Sequence, residues 1–255
     1  MWDLLLRVFV AGLLASSTSV GPSYAQADPE TLLEAWRTSQ EDALRDVVRV
    51  EMDEVATWEI DGQFGVRTRT TWSRLTGTPG VNDWVRALDS LWVDGAPITT
   101  QAYDEAQQRW QRLLGPIGRA AAEGSRVPAV IPAGVEPVGT VQDDPTAPGL
   151  VRVEAAAAFE RGPRGRGPRR GPPVERATFW FEADQPILRR ARYVLRGPGG
   201  NAVTLTLAYD RVAGVDVPAE MTMDGLLRTQ RRLRAVTMLV RGEVTYHNPV
   251  FTPAP

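Results

Sequence analysis

The single histidine, His247, is the natural start for a search for chemistry. It lies in Tyr246-His247-Asn248-Pro249, at the end of a run in which apolar and polar residues alternate, and on the parity opposite Tyr246. No nucleophile and acid join it at a recognisable spacing, so a hydrolytic triad has no support. Glu51, Asp53 and Glu54 put two carboxylates on one strand parity. Paired carboxylates can do glycosidic acid–base work where they flank a groove, but surface charge is the plainer reading. Cysteine is absent, which excludes disulfides, thiolate nucleophiles, Cys-ligated zinc, iron–sulfur clusters and a lipid-modified N-terminal Cys. Lysine is absent too, so all 29 basic residues are Arg and Schiff-base chemistry is excluded. No catalytic residue, metal ligand or cofactor is expected.

Arg161 to Pro173 is a second chemical candidate, with Arg161, Arg164, Arg166, Arg169 and Arg170 spaced by Gly and Pro. No apolar strand leads directly into these glycines and no helix follows, so this is not a phosphate-binding loop. The guanidinium forks suit anionic lipid headgroups or acidic glycans. A solvated, disordered hairpin tip is the plainer reading, because such a composition cannot pack a core.

These residues need elements to hold them. The chain has 255 residues and a formal charge of −2, enough for one large domain that buries roughly 70% of its unfolded surface. Residues 1–27 read as a signal peptide: Val8 to Ala15 is an apolar core, and Ser23-Tyr24-Ala25 and Ala25-Gln26-Ala27 both fit the peptidase pattern. Asp3 weakens the basic start, which keeps an uncleaved anchor as an alternative. Nucleic acid is not an expected partner for an exported chain. Residues 28–255 are expected to form a single extracytoplasmic, soluble domain carrying the disordered 161–173 insert.

Asp28-Pro29-Glu30 signals a helix start, and Leu32, Trp36, Ala43, Leu44 and Val47 continue at helical spacing to about Asp46. Strands follow: Val48, Val50 and Met52 share one parity, Asp61-Gly62 signals a hairpin, and Phe64, Val66, Thr68, Thr70 and Trp72 share the parity of the return. Val85 to Val93 makes a third strand. Thr99 or Thr100 caps a second helix striped by Ala102, Ala106, Trp110, Leu113 and Ile117. Ser125 to Pro148 reads as a loop or irregular extended segment, and Leu150 to Glu160 as a strand.

Arg176 to Phe251 then reads as a long antiparallel meander. Phe179, Phe181, Ala191, Tyr193, Leu195, Val203, Leu205, Leu207, Tyr209, Met221, Met223, Met238, Val240, Val244 and Tyr246 fall on one parity. Thr, Arg, Glu and Asp fill the other. A period of two with one greasy face marks a sheet covered on one side, and something must cover or bind that face. The mature chain keeps seven Trp, several on faces expected to point inward. Trp and Met suit ordinary cores and lipid cavities alike.

The segment Tyr209-Asp-Arg-Val-Ala-Gly-Val-Asp-Val-Pro-Ala-Glu-Met221 resembles the closing hairpins of LolA/LolB-like proteins, the periplasmic lipoprotein carriers and their sorting relatives. Phe179-Trp-Phe-Glu-Ala-Asp-Gln-Pro-Ile-Leu-Arg-Arg190 and Val244-Thr-Tyr-His-Asn-Pro-Val-Phe251 resemble their flanking strands. The resemblance covers about residues 175–251 and marks a divergent relative. It implies an α+β fold: a strongly curved antiparallel sheet forming an unclosed β-barrel, with helices covering the concave face. It also implies a non-enzymatic binder of lipid acyl chains or lipoproteins, expected to be a monomer. The chains would lie against Phe179, Phe181, Tyr193, Leu205, Leu207, Met221, Met223 and Met238, under a lid carrying Trp36, Trp110 and Leu113. The alternative is an envelope interaction or sensor module in which the helices fill that face and the Arg-rich tip meets anionic surfaces.

Overall fold

The computed structural model describes residues 24, 27–62, 65–80, 84–99, 135–157, 174–197, 201–231 and 234–255. The second helix expected over 100–117, with Trp110 and Leu113, and the Arg-rich insert at 161–173 lie outside the described residues, as does nearly all of the expected signal peptide. Tyr24, on the leader side of both cleavage patterns, donates its backbone N–H to Ala183 O at 2.8 Å.

Helix α1 spans Pro29–Leu44. Asp28 caps it, its Oδ2 accepting the N–H groups of Glu30 at 3.1 Å and Thr31 at 3.3 Å, which satisfies donors that have no partner within the helix. Its buried residues, Leu32, Leu33, Trp36, Gln40 and Leu44, recur at three- and four-residue spacing.

Among the described residues eleven strands follow: β1 (Val47–Gly62), β2 (Gly65–Gly77), β3 (Val85–Val93), β4 (Ala96–Pro97), β5 (Val135–Asp143), β6 (Leu150–Ala157), β7 (Val174–Glu182), β8 (Leu188–Gly197), β9 (Asn201–Val212), β10 (Val215–Arg231) and β11 (Arg234–Pro253). All belong to one antiparallel sheet, in the order β4-β3-β2-β1-β11-β10-β9-β8-β7-β6-β5. Among the described residues the edges β4 and β5 do not pair, so the sheet is open. The chain fills one wing outward from β1 to β4, resumes at the far edge, and returns strand by strand until β11 joins β1.

The parity read from β7 to β11 holds: Phe179, Ala191, Tyr193, Leu205, Leu207, Met221, Met223, Val240 and Val244 are all buried. Four expectations are refined or corrected. Within the stretch read as a loop or irregular extended segment, residues 135–143 form strand β5; Gly139 at φ 78° and a register break between Val138 and Gln142 interrupt its alternation. The hairpin signalled by Asp61-Gly62 is present, but both residues belong to β1, paired with Val66 and Gly65. Val48 is exposed although Val50 and Met52 are buried, because the register shifts between Val47 and Arg49. On β2 the inward parity is Thr71, Ser73 and Leu75. Trp72 therefore points outward, 37% exposed, edge-on to Trp92, 39% exposed, with ring centroids 6.4 Å apart.

Two tight turns rest on left-handed backbone. Asp94-Gly95 joins β3 to β4 at φ 51° and 79°, and Ala213-Gly214 joins β9 to β10 at φ 51° and 84°. Two successive positive φ values give the turn twist that matches paired strands. Asp94 makes its turn firm by accepting Thr68 N–H at 2.9 Å and pairing with Arg67.

Candidate functional site: the concave apolar face

The register aligns the inward side chains into rows that run across the strands. One row reads Leu91, Thr71, Ala56, Val244, Met221, Leu207, Ala191, Phe179 and Val153, each paired with the next. All nine are buried. The next row reads Trp58, Gly242, Met223, Leu205, Tyr193, Ala177 and Ala155. A third runs Ile60, Val240, Gly225, Val203, Leu195 and Val174. Large and small residues are matched across strands: a Cβ at Gly242 would overlap the Trp58 ring, and one at Gly225 would overlap Val203. Small residues here let bulky neighbours lie flat on the sheet.

These rows bring together the residues proposed to hold a ligand. Phe179, Leu207 and Met221 share the first row, and Tyr193, Leu205 and Met223 the second. Phe181 sits nearer α1, and Met238 is half-buried at the opposite end. Trp36 of α1 is buried and meets Phe181 edge-on, with centroids 6.0 Å apart. In this structure the face is thus closed where those side chains lie. A groove of about 1400 Å³ runs beside α1, lined by Leu33, Arg37, Ala43, Val135 and Gly214 among others, and none of the eight residues lines it.

Asp216 was not anticipated as a key residue. Its Oδ2 accepts from Trp36 Nε1 at 3.0 Å and from Leu188 N at 2.9 Å, and its Oδ1 from Arg211 Nη1 at 2.9 Å. Its own N–H donates to Gln40 Oε1 at 2.8 Å. Arg211 also donates to Ser39 Oγ at 3.1 Å. A fully buried carboxylate is costly unless it is paired and hydrogen-bonded. Burial pushes the Asp216 carboxyl upward, against the lowering by the Leu188 amide, the Trp36 indole and Arg211. The network fastens α1 to the β9–β10 hairpin. Its sequence signal was a carboxylate between Val215 and Val217, in the very segment that carries the family resemblance.

Tyr193 and Tyr209 are hydrogen-bonded to each other on the same face, and burial raises both phenols well above the usual range. They are neutral amphipathic groups at ordinary pH. Phe179 packs edge-on to Tyr193 at 5.9 Å.

The carboxylates considered for catalysis separate. Asp53 faces outward, bonded to Asn248 Nδ2 at 3.1 Å and Arg74 Nε at 3.2 Å; those bonds, Asn248 first, lower its pKa. Glu51 pairs with Arg49 at 2.6 Å. Glu54 instead faces inward and is buried, paired with Arg86 Nη2 at 2.8 Å, so the three do not form one surface cluster. His247 is exposed, as its parity indicates, with Nε2 3.2 Å from Thr245 Oγ1. Among the described residues no group of three His, Cys, Asp or Glu could hold a metal ion, and no helix is long and apolar enough to cross a membrane.

No family model matches the chain, and no curated protein matches it. Among solved structures it is similar to a LolA superfamily protein from Nitrosomonas europaea, at 10% identity over 90% of this chain and 96% of that one, TM-score 0.37. It is likewise similar to an outer membrane lipoprotein-sorting protein domain from Vibrio parahaemolyticus, at 10% identity over 87% and 93%, TM-score 0.37. The likeness to lipovitellin, described for its lipid–protein interactions, is 8% identical over 82% of this chain, TM-score 0.39, and spans 26% of the lipovitellin chain.

Proposed function

We propose that this chain is a non-enzymatic, extracytoplasmic lipid- or lipoprotein-binding protein that holds acyl chains on the concave face of its open sheet. The observation that carries this reading is the row from Leu91 to Val153: nine buried side chains, eight of them apolar, in register across nine strands. The resemblance of residues 175–251 to lipoprotein-sorting proteins supports it. Acyl chains would lie against Phe179, Phe181, Tyr193, Leu205, Leu207, Met221, Met223 and Met238, gaining ~0.8 kcal/mol per buried CH₂. Trp36 occupies part of that space, so loading requires α1 to move and acyl carbons to replace the contact of Trp36 with Phe181. Residues 1–27 act as the export signal, and the mature domain works as a monomer. Arg161, Arg164, Arg166, Arg169 and Arg170 add peripheral contact with anionic membrane.

A second reading is favoured by the burial of Trp36: α1 is a permanent plug, and the fold serves as an envelope interaction module without cargo. Purification without detergent, lipid mass spectrometry and titration with a fluorescent fatty acid separate the two. Bound lipid and saturable uptake support the carrier. A protein that carries no lipid and takes up no probe sinks it.

A further inference from the structure

The concave face is not apolar throughout. On its β1–β3 wing Glu54 is buried beside Met52 and Ala56. Its cross-strand partner is Ser73, also buried, whose Oγ has no hydrogen-bond partner among the described residues. Thr71 follows on the same parity. Arg86 of β3 reaches in from beside Leu75 to pair with Glu54 at 2.8 Å, its side chain 42% exposed. A buried hydroxyl without a partner costs free energy that a folded chain rarely leaves unmet. Here it sits next to an ion pair whose Glu54 side is buried and whose Arg86 side is partly exposed.

We propose that Glu54, Ser73 and Arg86 receive the polar head of an amphiphile whose chain lies along the apolar rows, and that the head is zwitterionic. The inference rests on the acyl-binding reading. Glu54 lies two residues, or about 7 Å, along β1 from Ala56 in the first row, so a head held here delivers its chain directly onto that row. The half-exposed Arg86 puts the head at a wet rim and the tail on the dry face. Charge decides the class. Glu54 and Arg86 together are neutral, and they accommodate a head that is itself neutral overall: its ammonium on the Glu54 carboxylate, its phosphate on the Arg86 guanidinium. Ser73 Oγ then donates to a phosphate oxygen. A purely anionic head would gain Arg86 but meet Glu54 at close range, and like charges brought together at a buried site discriminate strongly.

Three lipids with one palmitoyl chain test this: lysophosphatidylethanolamine, lysophosphatidylglycerol and monopalmitoylglycerol, titrated into the full mature chain. The wild type is expected to bind the first about tenfold more tightly than the second. In Glu54→Gln that ratio falls to about one, because the carboxylate no longer selects against the anionic head. Arg86→Met, at a half-exposed position, serves if Glu54→Gln does not fold, and lowers binding of both phosphate-bearing heads relative to the neutral one. Equal affinity for all three heads in the wild type, or an unchanged ratio in the variants, overturns the head-group site while leaving acyl binding intact. Failure of the wild type to bind any of the three overturns both.

Discussion

Trp36 and Asp216 lie 180 positions apart in the chain and meet in a 3.0 Å hydrogen bond, buried at both ends. The indole N–H reaches from the helix to a carboxylate at the start of β10, and Arg211 and the Leu188 amide hold that carboxylate in place. Trp36→Phe keeps most of the ring and removes the donor. It is expected to cost about 1.5–3 kcal/mol, the range for a hydrogen bond to a charged group. Trp36→Ala also leaves a cavity against Phe181 and is expected to cost about 3–5 kcal/mol. Urea midpoints of the two variants measure both. Under the carrier reading Trp36→Ala also speeds uptake of a fluorescent fatty acid.

Two carboxyls give opposite acid responses. Asp144 accepts from the Thr146 hydroxyl, the Thr146 amide and the Trp180 indole, which together lower its pKa from 3.8 to about 2. A carboxyl depressed in the folded state contributes stability above its unfolded value and loses it as pH falls through the folded one. Asp144→Asn is therefore expected to flatten the loss of stability below about pH 4. Asp216 is raised by burial, so it holds its proton more tightly when folded, and its contribution declines as pH rises from 3.8. Asp216→Asn removes that decline. Thermal midpoints across an acid pH series distinguish the two.

Gly242 supports Trp58. A methyl group there would run into the indole ring, so Gly242→Ala is expected to destabilise by about 1–3 kcal/mol. Trp58→Leu should recover part of that loss in the double variant. A double-mutant cycle in denaturant measures the coupling; a coupling near zero would mean the ring is free to move aside.

The Ala213-Gly214 turn holds Ala213 at φ 51°. A left-handed conformation costs an L-residue with a Cβ roughly 1–2 kcal/mol. Ala213→Gly relieves that strain, and Ala213→Asn yields the favoured Asn-Gly pair. Both are expected to raise the thermal midpoint, whereas Gly214→Ala, at φ 84°, lowers it.

Much of this architecture is legible in the sequence where alternation is uninterrupted. From Val174 to Tyr246 most inward positions are apolar, and parity along each strand suffices to place Phe179, Leu205 and Met223 on a common face. The cap at Asp28 is equally plain, because a carboxylate followed by Pro leaves few other local solutions. Strand β5 escapes detection because Pro137 and Gly139 look like loop residues until a neighbouring strand supplies the ladder. The β2 wing inverts because Thr71 and Ser73 point inward and Trp72 outward, so hydrophobicity misassigns the face. The role of Asp216 is invisible for a different reason. Arg211 is five positions away, but Leu188, Gln40 and Trp36 come from 28, 176 and 180 positions away, and no local pattern encodes such tertiary hydrogen bonds.

The order of the strands has a consequence for how the molecule comes into being. Strands β1 to β4 are made first, yet they join the rest of the sheet only through β11, the last strand made, and Ala254 N closes the seam on Asp46 O at 2.7 Å. Until residues 234–253 emerge, the early meander has one edge without its partner. Such distant pairing gives the chain a high contact order and slow assembly.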